Sequence, residues 1–411
     1  MTKTDQRTLK GLVTRRHPEY AALVAHWQFM KSCYDGGREW FSDNIFKYLK
    51  EGESEFKDRL ERCYRFNHTR EVVDLVNKYI FKMEIARSKD APSYVQDFWK
   101  GTTLNGLPIK DYMKHISERT SIYGRIWIVV DNNNTGEIRT VADEKRANVR
   151  VHSYTVSPDN VCDLSYDEKG ELNWILIHEQ ERDDEDPLNS TGDVIDRFRL
   201  WERNQWTLFR LKKDGGSKPE SRFALTTNES LAAMDTDKVL NGYTVDVDGP
   251  HAHTFGRVPV FPADNIVSSE PYKAPALIDD VAYLDRAVAN YLSNLDAIIQ
   301  DQTFSQLVIP AQAIADTGNT KDALIEMGTN RILSYDASGG GKPEYISPDV
   351  KQADLILRVV NKIINEIYHS VGLAGERTKE DNAMGIDNSS GVAKAYDFER
   401  VNSLLISKAD S

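Results

Sequence analysis

Along residues 18–88 apolar side chains return every three or four positions. Trp27, Met30 and Tyr34 do so, then Phe41, Ile45, Tyr48 and Leu49, then Val72, Val73, Val76, Ile80 and Met83. This is the period of an amphipathic helix, and Asn67 or Thr69 stands where a cap for the last stretch belongs. A further helix is predicted over 109–121. From Ile122 to Asp131, with IWIVV at its centre, the chain reads as a strand that stops at the turn-forming run Asn132-Asn133-Asn134. The middle third reads as mostly antiparallel sheet. Its strands are Asn173–Glu181, Asp196–Trp201 and Gln205–Leu211, with a short turn at Arg203-Asn204 and a short strand at Tyr243–Val247. Residues 183–193 and 214–220 interrupt it with flexible composition, and the proline-rich RVPVFP ends the β region near Pro262.

The last third changes character. Beyond a proline-bearing connector at 268–275, Leu277, Val281, Leu284, Val288, Tyr291 or Leu292, Leu295 and Ile298 advance by alternating fours and threes, close to a heptad seam. A helix over 276–302 would be about 40 Å long. Its opposite side is acidic and amide-rich, with Asp279, Asp280, Asp285, Asn290, Asp296 and Asp301. A compact insert follows: strands at 303–310, 331–335 and 344–346, a helical turn at 322–327 and a loop at Gly339-Gly340-Gly341. A second long helix opens at Ser347-Pro348-Asp349, where Ser can cap and Pro suits the first turn. Ile356, Val359, Val360, Ile363, Ile364, Ile367 and Val371 share one of its faces. A polar segment, 374–390, then leads to a last helix from Gly391 with Val392, Tyr396, Val401, Leu404 and Leu405 as its apolar side. The fold class is α+β, and 411 residues suit two or three domains.

Composition narrows the function classes. Hydrophobic residues make up 40% and charged residues 28%, and no apolar run approaches a membrane span, so no membrane partner is expected. The first twenty residues carry charge but no apolar core, so nothing suggests a secretory signal. Cys33, Cys63 and Cys162 are odd in number and far apart, which excludes a disulfide framework and a cysteine zinc site. The net charge of −12 opposes tight phosphate binding.

Candidate chemistry is sparse. Gly339-Gly340-Gly341-Lys342-Pro343 fails as a phosphate loop, because Asp336 stands where the first glycine belongs and Pro343 replaces Ser/Thr. His251-Ala252-His253 lacks a third metal ligand and reads as a loop, and Asp183-Asp184-Glu185-Asp186 reads as an exposed acidic loop. Trp174, Trp201 and Trp206 read as core packing rather than a binding platform. Asn67-His68-Thr69 and Asn388-Ser389-Ser390 match the glycosylation pattern by chance. Catalytic groups, metal ligands and cofactors are all expected to be absent.

The order of parts resembles a portal protein of tailed bacteriophages, of the siphovirus head-to-tail type. HPEYAALVAHWQFMKSCYDGG, then KYL and RFNHTREVVDLVNKYIF, resemble the helical opening of a portal wing, and YTVSPDNVCDLSYDEKGELNWILIHEQE resembles the wing strands. Helix, insert, helix, polar loop, helix resembles stem, clip, stem and tunnel loop. NSSGVAKAYDFERVNSLL resembles the return of that loop into a helix. The resemblance implies a wing over 1–267, helical in 18–121 and mainly β in 122–262. It further implies a connector and first stem helix over 268–302, a clip over 303–347, a second stem helix over 348–373, a tunnel loop over 374–390 and a helix towards the crown over 391–411. A crown that is short or missing is expected, since the chain stops at Ser411 within that helix.

The implied function is structural rather than enzymatic. A homo-oligomeric, dodecameric ring at one capsid vertex would pass double-stranded DNA during packaging and ejection without sequence specificity. The implied partners are the large terminase, head-completion and adaptor proteins, and major capsid and scaffolding proteins. The location is the virion, after assembly in the host cytoplasm. Rival readings are another head–tail connector or minor capsid protein, and a metal-dependent phosphohydrolase acting on nucleic acid.

A conduit must not grip its cargo. Residues 276–302 hold five Asp and one Arg, a charge of −4, and would repel phosphates from a channel wall. The acidic face is therefore expected to contribute to the channel. Residues 374–390 carry −2, with Arg377, Lys379, Asn382 and Asn388 as the DNA-proximal candidates for backbone contact alone. Lys351, Arg358 and Lys362 sit seven and four apart on one face. They fit a solvated side, a partner for the acidic face of the neighbouring subunit's first stem helix, or a DNA contact. Lys321, Arg331 and Lys342 are the candidates for docking at the clip.

Overall fold

The structure is a computed structural model that describes residues 11–410 apart from 13, 50, 83–84, 133–148, 185, 191, 193, 214–242, 304–305, 311–331, 336–343, 347–350 and 374–390. The described residues form nine helices and eleven strands, an α+β arrangement. Contacts divide the chain into two units, residues 1–35, 69–279 and 390–411 in one and 36–68 and 280–389 in the other.

The first unit holds a three-stranded and a five-stranded sheet. Helix α1 (Pro18–Asp35) buries Tyr20, Val24, Trp27, Met30 and Cys33, one face at the expected spacing. It leads to α2 (Arg38–Asn44) and α3 (Glu53–Arg62) of the second unit, then to α4 (His68–Ile80), whose start leaves Asn67 at the cap position. Val72, Val73 and Val76 of α4 are fully buried, each contributing about 1.5–3 kcal/mol. Helices α5 (Ser93–Lys100) and α6 (Ile109–Tyr123) precede β1 (Arg125–Asn132). The expected strand start at Ile122 is thus corrected. Ser121, Ile122 and Tyr123 complete α6, and Gly124 makes the turn.

Strand β1 is the middle of an antiparallel sheet, flanked by β2 (Val151–Val156) and β8 (Val260–Asp264). Ile126, Trp127 and Val129 are buried, and Trp127 Nε1 donates to Tyr20 Oη at 3.1 Å, tying the sheet to α1. Arg125 grips Asp264 of β8 with two bonds of 2.6 and 2.7 Å. The other sheet is an antiparallel meander, β3 (Val161–Tyr166), β4 (Leu172–Arg182), β5 (Val194–Glu202), β6 (Gln205–Lys213) and β7 (Tyr243–Ala252). The expected two-residue turn at Arg203-Asn204 is present, and it sets Trp201 opposite Trp206. Leu12, Cys162, Leu176, Phe198 and Leu211 form a core with Trp174 packed on it. Trp201 is buried and Trp206 carries Arg199 and His251 against its ring, so these tryptophans pack the sheet. All three cysteines are free and buried, and burial pushes the Cys162 thiol up to about 11.

Strand β7 continues to Ala252, so His251-Ala252 is strand rather than the expected loop. Its edge position tolerates Pro250, and the register shifts opposite it, between Trp206 and Leu208.

The last helix, α9 (Gly391–Ala409), carries a buried lysine on its otherwise apolar side. Lys408 Nζ donates to Thr120 Oγ1 at 3.3 Å and to Asn265 Oδ1. Burial lowers its pKa from 10.5 to about 7. The unfolded chain therefore binds the proton more readily between those values, and this unit gains stability as pH rises from about 7 towards 10.5. Below about 7 the cost of charging is fully present. We expect Lys408→Met to raise the melting temperature most at pH 6 and to remove that part of the slope. Melting curves at pH 6 and 9 that move in parallel for both proteins would refute this.

Candidate functional site

Helix α7 (Val281–Thr303) and helix α8 (Lys351–Ser370) pack together in the second unit. Val281, Val288, Leu292 and Leu295 are buried on α7 and Val360, Ile364 and Ile367 on α8, the two seams that the sequence spacing gives. Leu292, not Tyr291, takes the ambiguous seam position, since Tyr291 is exposed. Between the helices lies a three-stranded sheet with β9 (Gln306–Pro310) in the centre. It pairs parallel to β10 (Ile332–Tyr335) and antiparallel to β11 (Glu344–Ile346). The chain therefore leaves one helix, builds a small sheet and returns into the other. The helical turn expected at 322–327 and the cap at Ser347-Pro348-Asp349 lie outside the described residues.

The first helix starts at Val281 rather than Ala276. Asp279 Oδ2 accepts from Ala276 N–H at 2.9 Å and Leu277 N–H donates to Ser121 O at 3.0 Å, which holds 276–280 as a turn. Asp279 and Asp280 thus precede the helix, and Asp279 pairs with His26 at 2.9 Å.

The polar side of α7 is covered by residues 44–65 of the same unit. Arg65 reaches Asp285 through Nε at 3.2 Å and Nη2 at 2.8 Å, lies 4.0 Å over the Trp40 ring and donates to Asn67 Oδ1 at 2.7 Å. Asp285 is 0% exposed, so it does not belong to an open acidic face. Arg62 pairs with Asp296 at 3.3 Å. Asn290 donates to Asn44 O at 2.9 Å and accepts from Phe46 N–H at 3.0 Å, and Tyr48 Oη donates to Asn294 Oδ1. Arg59 joins the segment to α7 by donating to Ser293 Oγ at 2.7 Å. It also holds Glu51 with bonds of 2.8 and 2.7 Å, and those bonds keep the Glu51 carboxyl below the usual carboxylate range.

Helix α7 is therefore less negative than the sequence count implies. Helix α7 contains Asp285, Asp296 and Asp301 against Arg286, and Arg65 and Arg62 offset the first two aspartates. The row Arg59, Arg62, Arg65, at steps of three, was the available signal for this clamp, but its acceptors on α7 lie more than 200 residues away. The basic row of α8 is where the spacing puts it. Lys351, Arg358 and Lys362 are all exposed, and Arg358 pairs with Asp354 of its own helix at 3.0 Å.

His251 pairs with Asp248 at 2.7 Å and His253 bonds Glu202 O at 3.0 Å, so the two imidazoles have separate partners. Among the described residues no group of three or more His, Cys, Asp or Glu is placed to hold a metal ion. In the first unit a cleft of about 780 Å³ is lined by His115, His152, Tyr154, Glu179, Arg197 and Arg199, which sequence reading had not singled out. Its charges are matched internally, with Glu179 3.1 Å from Arg197 and 3.2 Å from Arg199.

Residues 18–405 match the family model for phage portal proteins of the SPP1 Gp6-like type. The chain belongs to that family. As a phage portal protein it is a virion component, part of a capsid-associated ring that works with the head and packaging machinery. No curated protein matches it. No helix among the described residues of the portal protein is long and apolar enough to cross a membrane. Arg377, Lys379, Asn382 and Asn388, and Lys321, Arg331 and Lys342, lie outside the described residues.

Proposed function

We propose that copies of this portal protein close into a ring, dodecameric as in the proteins it resembles, through which double-stranded DNA passes during packaging and ejection. The observation that carries the reading is the pair α7 and α8 joined through a small mixed sheet, in a chain that matches the portal family from residue 18 to 405. The helix pair would support the channel. The small sheet, with Lys321, Arg331 and Lys342, would be the tip that meets the terminase and later the head-completion proteins. Arg377, Lys379, Asn382 and Asn388 would meet the DNA backbone without reading bases. Repulsion of phosphates rests less on α7 than its sequence implies, because Asp285 is buried and Asp296 paired.

Electron microscopy of the purified chain tests this. Closed rings with a central hole wide enough for a duplex are expected. A compact monomer at every concentration and ionic strength tried would end the ring reading. Cleavage of DNA on adding Mg²⁺ or Mn²⁺ would transfer the protein to the phosphohydrolase class.

A further inference from the structure

The outer side of α8 joins charge to exposed apolar surface. Lys351, Leu355, Arg358 and Lys362 recur at steps of four, three and four, which makes one stripe opposite the buried Val360, Ile364 and Ile367. Leu355 is 63% exposed within that stripe. A phosphate backbone gains nothing from leucines, and the exposed Asp354 and Glu366 beside the stripe would repel it. Lysine and arginine set around an exposed leucine suit a protein surface that is both acidic and apolar.

Such a surface exists on the same unit. Between residues 39 and 66 the clamp turns Arg59 and Arg65 inward, while Glu39, Asp43, Glu53, Glu55, Asp58 and Glu61 stay exposed against Lys47, Lys57 and Arg62, which leaves an acidic excess. Phe46, Tyr48, Leu49, Tyr64 and Phe66 are exposed among them, with Leu49 fully so. Aromatic residues left on a surface beside carboxylates are typical of an interface core and rim. Asp285 and Asp296 of α7 are poor candidates for the basic stripe, because Arg65 and Arg62 of the same chain already hold them.

We propose that the exposed aromatic and acidic surface of residues 39–66 in one copy of this chain binds the aliphatic and basic stripe of α8 in the next. Two different surfaces that fit each other make a heterologous contact, which closes into a ring when the rotation permits and otherwise runs on as a filament. The proposal rests on the ring reading above and names the two faces that build it. The exposed Arg358–Asp354 pair is a weak one, so Arg358 can exchange partners at little cost.

The test uses the full chain under conditions where the wild type forms rings, with assembly followed by mass photometry and folding by circular dichroism. One variant reverses the stripe (Lys351→Glu, Arg358→Glu, Lys362→Glu). A second reverses the opposing surface (Asp43→Lys, Asp58→Lys, Glu61→Lys), and a third combines them. Each reversal should raise the concentration needed for assembly at least tenfold with an unchanged melt, and the combination should bring it back towards wild type. If a reversal lowers the melt, Leu355→Ser replaces it and should raise the assembly concentration without touching the melt. Rings formed by both reversals at the wild-type concentration would overturn the choice of faces and leave the ring reading standing. So would singly impaired variants that the combination does not rescue. A reversed stripe that assembles normally but loses salt-sensitive duplex binding would assign the stripe to DNA. A wild type that never forms rings would remove both readings together.

Discussion

Exchanging Arg65 for methionine is expected to loosen α7 by about 3–5 kcal/mol, the cost of stranding a buried carboxylate. Asp285 has no access to solvent and receives two bonds from Arg65, whose own side chain is 3% exposed. Its guanidinium also leaves the Trp40 face and Asn67 when removed. The loss is local, so amide exchange along α7 is the measurement of choice. Rates should rise at least a hundredfold, since each 1.4 kcal/mol is a factor of ten. The double variant Arg65→Met, Asp285→Leu should recover most of the loss, because it leaves no charge without a partner. Equal exchange in the single and double variants would show that the clamp acts by packing alone. Removing Arg358 from its exposed pair should by contrast change stability by no more than about 1 kcal/mol.

The contrast between those two pairs marks what a sequence discloses. The seams of α7 and α8 were legible because burial repeats with the helix period, and a row of Val and Ile at threes and fours has few other uses. Arg358 and Asp354 stand four apart and could be paired on paper. Arg65 and Asp285 could not. They are 220 positions apart, and nothing in either neighbourhood names the other. Hence an acidic helix face looked like an open wall, when much of it is where residues 44–65 dock.

Element ends failed for local reasons of the same kind. His251-Ala252-His253 reads as a loop, yet β7 is an edge strand that carries Pro250 and runs through to Ala252. Residues 277–280 form a turn ahead of α7, with Asp279 accepting from the amide of Ala276, a distinction between turn and helix that hydrophobic spacing does not record. Of the candidate site, the stripe on α8 was legible and its partners were not. A charge row shows which face is outermost without showing what it meets.

Replacing Gly124 with alanine is expected to destabilise the first unit by more than about 3 kcal/mol, through two effects that add. Its φ of +79° is a conformation that costs a residue with a Cβ about 1–3 kcal/mol. A Cβ there would also lie 1.9 Å from Ala274 O, 2.9 Å from Ala274 C and 3.0 Å from Ala276 N. Those are backbone atoms of a connector that cannot swing aside like a side chain. Gly124 sits between α6 and β1, donates to Thr120 O at 2.8 Å and accepts from Asn265 N–H at 2.7 Å, so moving it disturbs both elements. Gly170→Ala is the control. Its φ is +80°, but nothing lies within 4 Å of the added carbon, and a loss of about 1 kcal/mol is expected from strain alone. Thermal melts should therefore place Gly124→Ala well below Gly170→Ala. If the two coincide, strain explains both and the connector gives way to the methyl group. If they separate as expected, the close approach of residues 274–276 is what requires glycine at 124, and the turn that ends α6 and aims β1 depends on it.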